Sequence, residues 1–319
     1  MKTLSDKEKK QSTVKASRLY GDYLIMLIAP LLLAVYHYGA RALAVVAAGV
    51  ASAMLTDLLF CALLKKHFLL KDLSNIFIGA AIALMMPAGI PLYVPVAAAF
   101  FAVAVVKVPF GGSLRAPFVP AAAGFAFASV CFKEQIFDYS YNSADKLLGE
   151  RSLGSLLAQG NAVHLDAINT FDILSGNVAG PMGTGCALLM LACCAVLIIR
   201  RKGALFIVGG FVAVCVLYAA LFPRVNASAL ASIFFELSAG SLLFAAVFFL
   251  TDYATLPQSI AAKLAGGAVC GFFCMMMRTV GTYEETVCFA VLLANGFAPV
   301  INSGINRVGG AIRRKEAAK

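Results

Sequence analysis

Residues 278–299 read RTVGTYEETVCFAVLLANGFAP. An Arg and two adjacent acids, Glu284 and Glu285, stand at one end of an apolar run that holds a single amide, Asn295, before Pro299. A helix entering hydrocarbon tolerates charge at its border, and any polar group farther in needs a partner inside the bundle. At a border the plainer role for Arg278, Glu284 and Glu285 is an interfacial ion pair. The plainer role for Asn295 is a helix–helix hydrogen bond. Placed inside the membrane, the same charges signal function.

The rest of the chain extends this pattern. Of 319 residues, 61% are hydrophobic and 13% charged, which leaves too little polar surface to cover a soluble core. A spanning helix needs about 20 mostly apolar residues. Ten segments qualify, some short or broken by Pro and Gly: 22–38, 41–63, 73–89, 91–108, 116–132, 183–199, 204–222, 231–250, 261–277 and 286–303. The expected fold is therefore all-α, a polytopic membrane protein of about ten transmembrane helices.

Lys and Arg set the expected orientation. With the N-terminus in the cytoplasm and the spans alternating, 20 of the 26 Lys and Arg fall on the inner side, which places both termini inside. The formal charge of +10 then reports topology and attraction to anionic lipid, and no basic patch interleaved with aromatics points to nucleic acid. The expected organisation is a cytoplasmic tail (1–20), a first five-helix half (21–132), an extracytoplasmic loop (133–182), a second five-helix half (183–304) and a basic cytoplasmic tail (305–319). The polar start, with no small-residue cleavage site after the first apolar run, reads as a retained start-transfer helix.

All nine Cys lie in apolar segments and no CxxC pair occurs, so thiols used for packing are expected, with no disulfide, metal or cluster site. No nucleotide fingerprint, substrate-pocket signature or iron–sulfur ligand set is present, and no catalytic residue is assigned.

The long polar segment 133–182 divides the spans five and five, and an odd-numbered repeat inserts with opposite orientation. Its traces are DLSNIFIGAAIALMMP from Asp72 and ELSAGSLLFAAVFFLTD from Glu236. Each is followed one span later by a glycine turn, FGGSLRAPFVPAAAGF from Phe110 and VGTYEETVCFAVLLAN from Val280. The spacing fits a 5+5 inverted repeat, and two helix N-caps explain the acid-Leu-Ser starts equally well.

Polar groups at span ends are the candidate sites. Gly111, Gly112, Pro117 and Pro120 mark either a tight turn between the fourth and fifth spans or a broken helix whose free amides face a ligand. In TDYATLP, Thr251, Asp252, Thr255 and Pro257 read either as turn formers or as a site in which Asp252 is a cation ligand or the charge partner of Arg115 or Lys263.

These segments carry a resemblance. TDYATLP resembles the TDPVTSP, and the segment from Gly111 the GGxGxNPFNPA, of the RnfD component of the Rnf electron-transfer complex and its relative NqrB, the membrane flavoprotein of the sodium-pumping quinone reductase. The likeness covers residues 20–305. It is strongest over 250–302, moderate over 70–125 and weak in the loop. Ala116 and Val119 stand where the family motif has Asn.

The resemblance implies a ten-helix flavin carrier that passes electrons across the plasma (inner) membrane of a prokaryote between partner membrane and peripheral subunits, coupled to sodium or proton movement. It implies contact of Gly111, Gly112, Arg115, Phe118, Thr251, Asp252 and Asn295 with a non-covalent flavin, FMN or riboflavin. Family members esterify FMN to a Thr in D-x-x-S-G-A-T-P-L. Here the loop reads GERSLGSLLAQG from Gly149, so Ser155 holds the acceptor position among leucines, and Thr170 in DAINTFD matches only the leading Asp-Ala. Covalent FMN is not expected. A reading of another class is a non-redox transporter or scaffold for flavin or a cation, built on the same inverted repeat.

Overall fold

A computed structural model of the chain describes residues 6–64, 72–139, 152–154, 157, 170–201, 203–223, 229–252, 259–280 and 285–317. Its elements are helical: α1 (Asp6–Tyr38), α2 (Ala40–Leu63), α3 (Ser74–Leu84), α4 (Tyr93–Phe101) running into a π-helical turn (Ala102–Lys107), α5 (Pro120–Cys131) and α6 (Lys133–Ile136). After the long connection come α7 (Thr170–Ser175), α8 (Ala187–Arg200), α9 (Ala204–Leu221), α10 (Ala229–Ser238), α11 (Leu242–Phe248), α12 (Ile260–Val280) and α13 (Val287–Ala317). Every expected span contains one of these helices. The polar ends differ from expectation, because α1 begins at Asp6 and α13 continues to Ala317.

Five helices are long and apolar enough to cross a membrane, six if α10 and α11, bent by 61° at their junction, count as one. The four other expected spans are shorter helices. At 1.5 Å per residue the 11 residues of α3 cover only about 17 Å of a ~30 Å hydrocarbon core. Its stop follows from MMP: Pro87 lacks an amide hydrogen and disfavours helical backbone at Met86. Irregular backbone at this depth is tolerable where protein encloses it, and Met85, Met86, Ala88 and Ile90 are buried. The open carbonyls of Leu84 and Met86 accept from the amides of Gly183 and Met182 at 2.7 and 3.0 Å. Arg41, at the start of α2, donates to Ala88 O and Ile90 O at 3.2 and 2.8 Å.

Within each set of five spans the same neighbours pack. In the first, α1 meets α3, α2 meets α3 and α4, and α4 meets α5; in the second, α8 meets α11, α9 meets α10 and α12, and α12 meets α13. Small residues allow the closest crossings, as is usual between helices in lipid. A Cβ on Gly79 of α3 would lie 2.6 Å from Gly49 O of α2, and one on Gly271 of α12 2.7 Å from Phe211 O of α9. The halves meet where α13 packs on α5 and where α1 meets α8.

Candidate functional site

Polar groups gather at the two ends of the bundle. Arg201 bonds Tyr23 of α1 at one end of α9, and Tyr218 bonds Thr279 of α12 near the other. The 18 residues of α9 between them span about 27 Å. We call the Arg201 side the first end and the Tyr218 side the second.

At the first end Lys107 is buried, rotated inward by the π turn that closes the fourth span; such turns displace a side chain from the regular helical face. Its Nζ lies 2.8 Å from Asp72 Oδ2 and 3.5 Å from Asp57 Oδ2, and it donates to Asn75 Oδ1. Asn75 in turn donates to Asp57 at 2.8 Å. Asp72 also accepts from the Ser74 amide at 3.1 Å, which gives it the cap-like role expected of it at the start of α3. Burial alone pushes the Asp72 carboxyl up, but the ammonium of Lys107 and the Ser74 hydrogen bonds outweigh it and hold the group below its ordinary value.

Beside this cluster the α10–α11 span ends in Thr251 and Asp252, both buried. Tyr23 donates to Thr251 O at 2.6 Å, and the Tyr20 hydroxyl lies 3.5 Å from both Asp252 oxygens. Arg201 stacks on Tyr23 with its guanidinium 4.5 Å from the ring centroid. Phe77 and Phe248 pack against Tyr23, joining α1, α3 and α11 in one aromatic wall. Thr255 and Pro257 lie outside the described residues.

The glycine turn projects from the same end. Gly111 and Gly112 take φ of 81° and 119°, a region that side chains with a Cβ avoid. Their amides bond back to Val108 O and Lys107 O, so the segment closes as a turn. A Cβ on Gly112 would meet nothing within 4 Å. Arg115 and Phe118 are exposed on this turn, while Ala116 is buried with Val106, Ala123 and Leu292 of α13. Asn295, one turn beyond Leu292, has a buried Nδ2 with no hydrogen-bond partner among the described residues. The structure thus brings Gly111, Gly112, Arg115 and Phe118 onto one surface, sets Thr251 and Asp252 in the bundle at the same end, and carries Asn295 on the helix packed behind Ala116.

At the second end Arg278 and Glu285 are both buried within the bundle. Glu284 lies outside the described residues. Arg278 donates to Glu236 O and Ala239 O at 2.9 and 2.8 Å, and its Nη1 lies 3.6 Å from Glu236 Oε2. Both Glu285 oxygens lie 3.0 Å from the Ser241 amide, and Ser241 Oγ touches Oε2. Gly240, at φ 63°, supplies the bend between α10 and α11. Glu236 sits in the last turn of α10, so the N-cap explanation of the acid-Leu-Ser starts fails there, while Asp72 stands one residue ahead of the α3 N-cap, Leu73, and accepts from the Ser74 amide. Each acid instead pairs with the basic residue that closes the following span, Lys107 or Arg278.

Ser155 lies outside the described residues. Nearby Leu153 and Leu157 are buried against Ile173, Val178 and Ala239. All nine cysteines are free thiols, and no metal-binding group of His, Cys, Asp and Glu occurs among the described residues. Lys107, Asn75, Tyr20 and Tyr23 were missed as site residues. A signal for this buried network was present in Asp57, a lone acid inside an otherwise apolar span.

The chain is similar to the D-type subunit of the Na(+)-translocating ferredoxin:NAD(+) oxidoreductase complex of Acetobacterium woodii, 27% identical over 93% of this chain and 92% of that one. It is also similar to the D-type subunit of the proton-translocating ferredoxin:NAD(+) oxidoreductase complex of Clostridium ljungdahlii, 24% identical over 94% and 93%. The B-type subunit of the Na(+)-translocating NADH-quinone reductase of Chromohalobacter salexigens is 29% identical over 69% of this chain and 55% of its own length. The model of the NQR2, RnfD, RnfE family matches residues 6–308, and with this near-complete match the chain belongs to that family of multi-pass membrane proteins.

Proposed function

We propose that this chain is the RnfD-like membrane component of an Rnf-type redox complex, supporting flavin-mediated electron transfer across the membrane coupled to ion movement. The observation that carries the reading is the end-to-end match to two D-type subunits, which leaves no large segment of either protein unaccounted for. Acting in such a complex, the chain is not catalytic alone and works with the other membrane and peripheral subunits. The Lys and Arg bias orients the first end, with both termini, toward the cytoplasm. The boundaries of the two halves follow the repeated packing pattern, with the two charged clusters at opposite ends as an inverted repeat requires.

The residues of the first end fit a non-covalent flavin. The open space over Gly112 and the exposed Phe118 ring suit a planar aromatic group, Arg115 suits a phosphate or the pyrimidine edge, and the unpartnered Asn295 amide is a spare donor. Bound there, a flavin supplies one- and two-electron redox chemistry. The protein's own part is to place it and to hold Lys107 and Asp252 at the same end of the bundle. The burial of Leu153 and Leu157 supports the reading that Ser155 is not esterified, since a modifying enzyme needs an exposed segment.

A non-redox transporter is favoured by one observation, the broken spans whose ends are capped from the other half, a feature of transporter folds. The visible absorbance of the purified, partner-assembled protein, before and after denaturation and filtration, separates the readings. Flavin that is present and released by denaturation is expected. Its absence from the assembled complex would remove the redox role and leave the transporter. Intact-mass measurement after co-expression with a flavin transferase is expected to give the unmodified chain. An added FMN mass that disappears in Ser155→Ala would show that the ester is made.

A further inference from the structure

Most of the glycine turn faces outward. Phe110, Gly111, Arg115, Pro117 and Phe118 are exposed, and its two glycines lose more conformational freedom on ordering than residues with a Cβ. Inward contacts come from Ser113, Leu114 and Ala116. These are small or apolar, so they press the turn onto the bundle without fixing its register.

Lys107 belongs to the turn by its backbone and to the bundle by its side chain. Its carbonyl accepts from the Gly112 amide at 3.1 Å and so closes the turn, while the Val108 amide bonds back five residues to Val103 O at 2.9 Å. Its ammonium meets acceptors on two other elements: Asp57 of α2, and Asp72 and Asn75 just ahead of and within α3. Asn75 in turn donates to Asp57, which ties the acceptors to one another. A buried ammonium is costly to place, and an apolar side chain would fill the same space more cheaply. What the charge adds is direction, because three acceptors converging on one nitrogen leave the base of the turn a single position.

We propose that Lys107 is the positioning residue of the glycine turn: its ammonium, held by α2 and α3, sets the height and rotation of the segment from Gly111 to Phe118 and thereby the pose of the flavin bound there. The flavin part rests on the function proposed above; the anchoring of the turn does not. A shift of α2 against α3 then reaches the flavin through one residue, with no contact between those helices and the ligand required.

Hydrogen–deuterium exchange of the purified full-length chain reads the anchor, since the amides of Gly111, Gly112 and Arg115 are all hydrogen-bonded within the turn. Lys107→Met combined with Asp57→Asn removes one charge of each sign. The remaining acid, Asp72, is the more exposed of the two, at 24% against 13% by side chain, and it keeps the Ser74 amide. Exchange in the peptide covering residues 108–116 is expected to rise about tenfold, the scale of one charge-assisted hydrogen bond, with α12 peptides unchanged. An unchanged turn overturns the proposal, and so does faster exchange throughout the bundle, which would make the cluster a general structural support. Should the double variant fail to fold, Asn75→Ala removes one acceptor and must loosen the same peptide; no change there refutes the anchor equally. In the partner-assembled protein, the visible circular dichroism of bound flavin reports its pose independently of occupancy. The double variant must alter the shape of that spectrum, and a spectrum that only loses intensity sinks the positioning role. Wild-type complex without flavin would remove the proposed function, while the exchange result still decides whether Lys107 holds the turn.

Discussion

Replacing Gly79 by Ala tests the closest helix crossing in the first half. A Cβ at that position would lie 2.6 Å from Gly49 O and from the Cα and N of Val50, where ordinary contact is 3.4–4 Å. All three atoms are α2 backbone, which cannot swing aside as a flexible side chain can, so α2 and α3 must separate by about 1 Å. Overpacking of this kind costs about 1–3 kcal/mol, and the roughly 0.5–1 kcal/mol that Ala gains over Gly in a helix offsets only part of it. At about 2–4 °C per kcal/mol for a chain of a few hundred residues, the unfolding midpoint should fall by several degrees. A thiol-reactive dye reads this in detergent, because Cys270, Cys274 and Cys288 are fully buried until the bundle opens. Gly296→Ala is the control, since a Cβ there meets nothing within 4 Å, and its midpoint should hold or rise. If Gly79→Ala and Gly296→Ala melt together, the close approach of α2 and α3 is wrong.

Two more outcomes follow from the charges. Because the native Asp72 carboxyl is held below its ordinary value, the Lys107–Asp72 pair stabilises the fold fully above the unfolded pKa of about 3.9 and loses that contribution as pH falls through the lower native value. Acid melting curves should show a limb that Asp72→Asn removes, and a limb unchanged in that variant would mean the pair is not formed. For orientation, a Cys placed at Ser143 should react with an impermeant reagent in intact cells. Labelling only after the membrane is opened would invert the assignment of the two ends.

The fold was legible where composition alone decides. Hydropathy located all ten helical segments, because an apolar run of that length has no soluble alternative. It could not show that α3 is 11 residues long or that α10 and α11 meet at 61°, because the groups that complete those broken ends come from distant parts of the chain. The site was legible in part. TDYATLP and the glycine turn stood out as polar interruptions, and Gly111 and Gly112 do adopt positive φ. The depth of Lys107 and Arg278 was not readable, since a charge at the end of an apolar run has the same sequence signature whether it faces water or the turn of a π helix. Glu236 likewise looked like a cap because local sequence gives no sign of a partner 42 residues away in Arg278.

The capping of the two broken spans has a consequence for how the chain is made. The carbonyls at the end of α3 are completed by Met182 and Gly183, and the last turn of the α10–α11 span is completed by Tyr23. A ribosome therefore delivers α3 about a hundred residues before its partners exist, with open acceptors that hydrocarbon cannot satisfy. The insertion machinery must keep that short helix in a wet or protein-lined site until the second half begins to emerge, so a translation pause or truncation between the halves would leave a half-molecule that quality-control proteases can recognise.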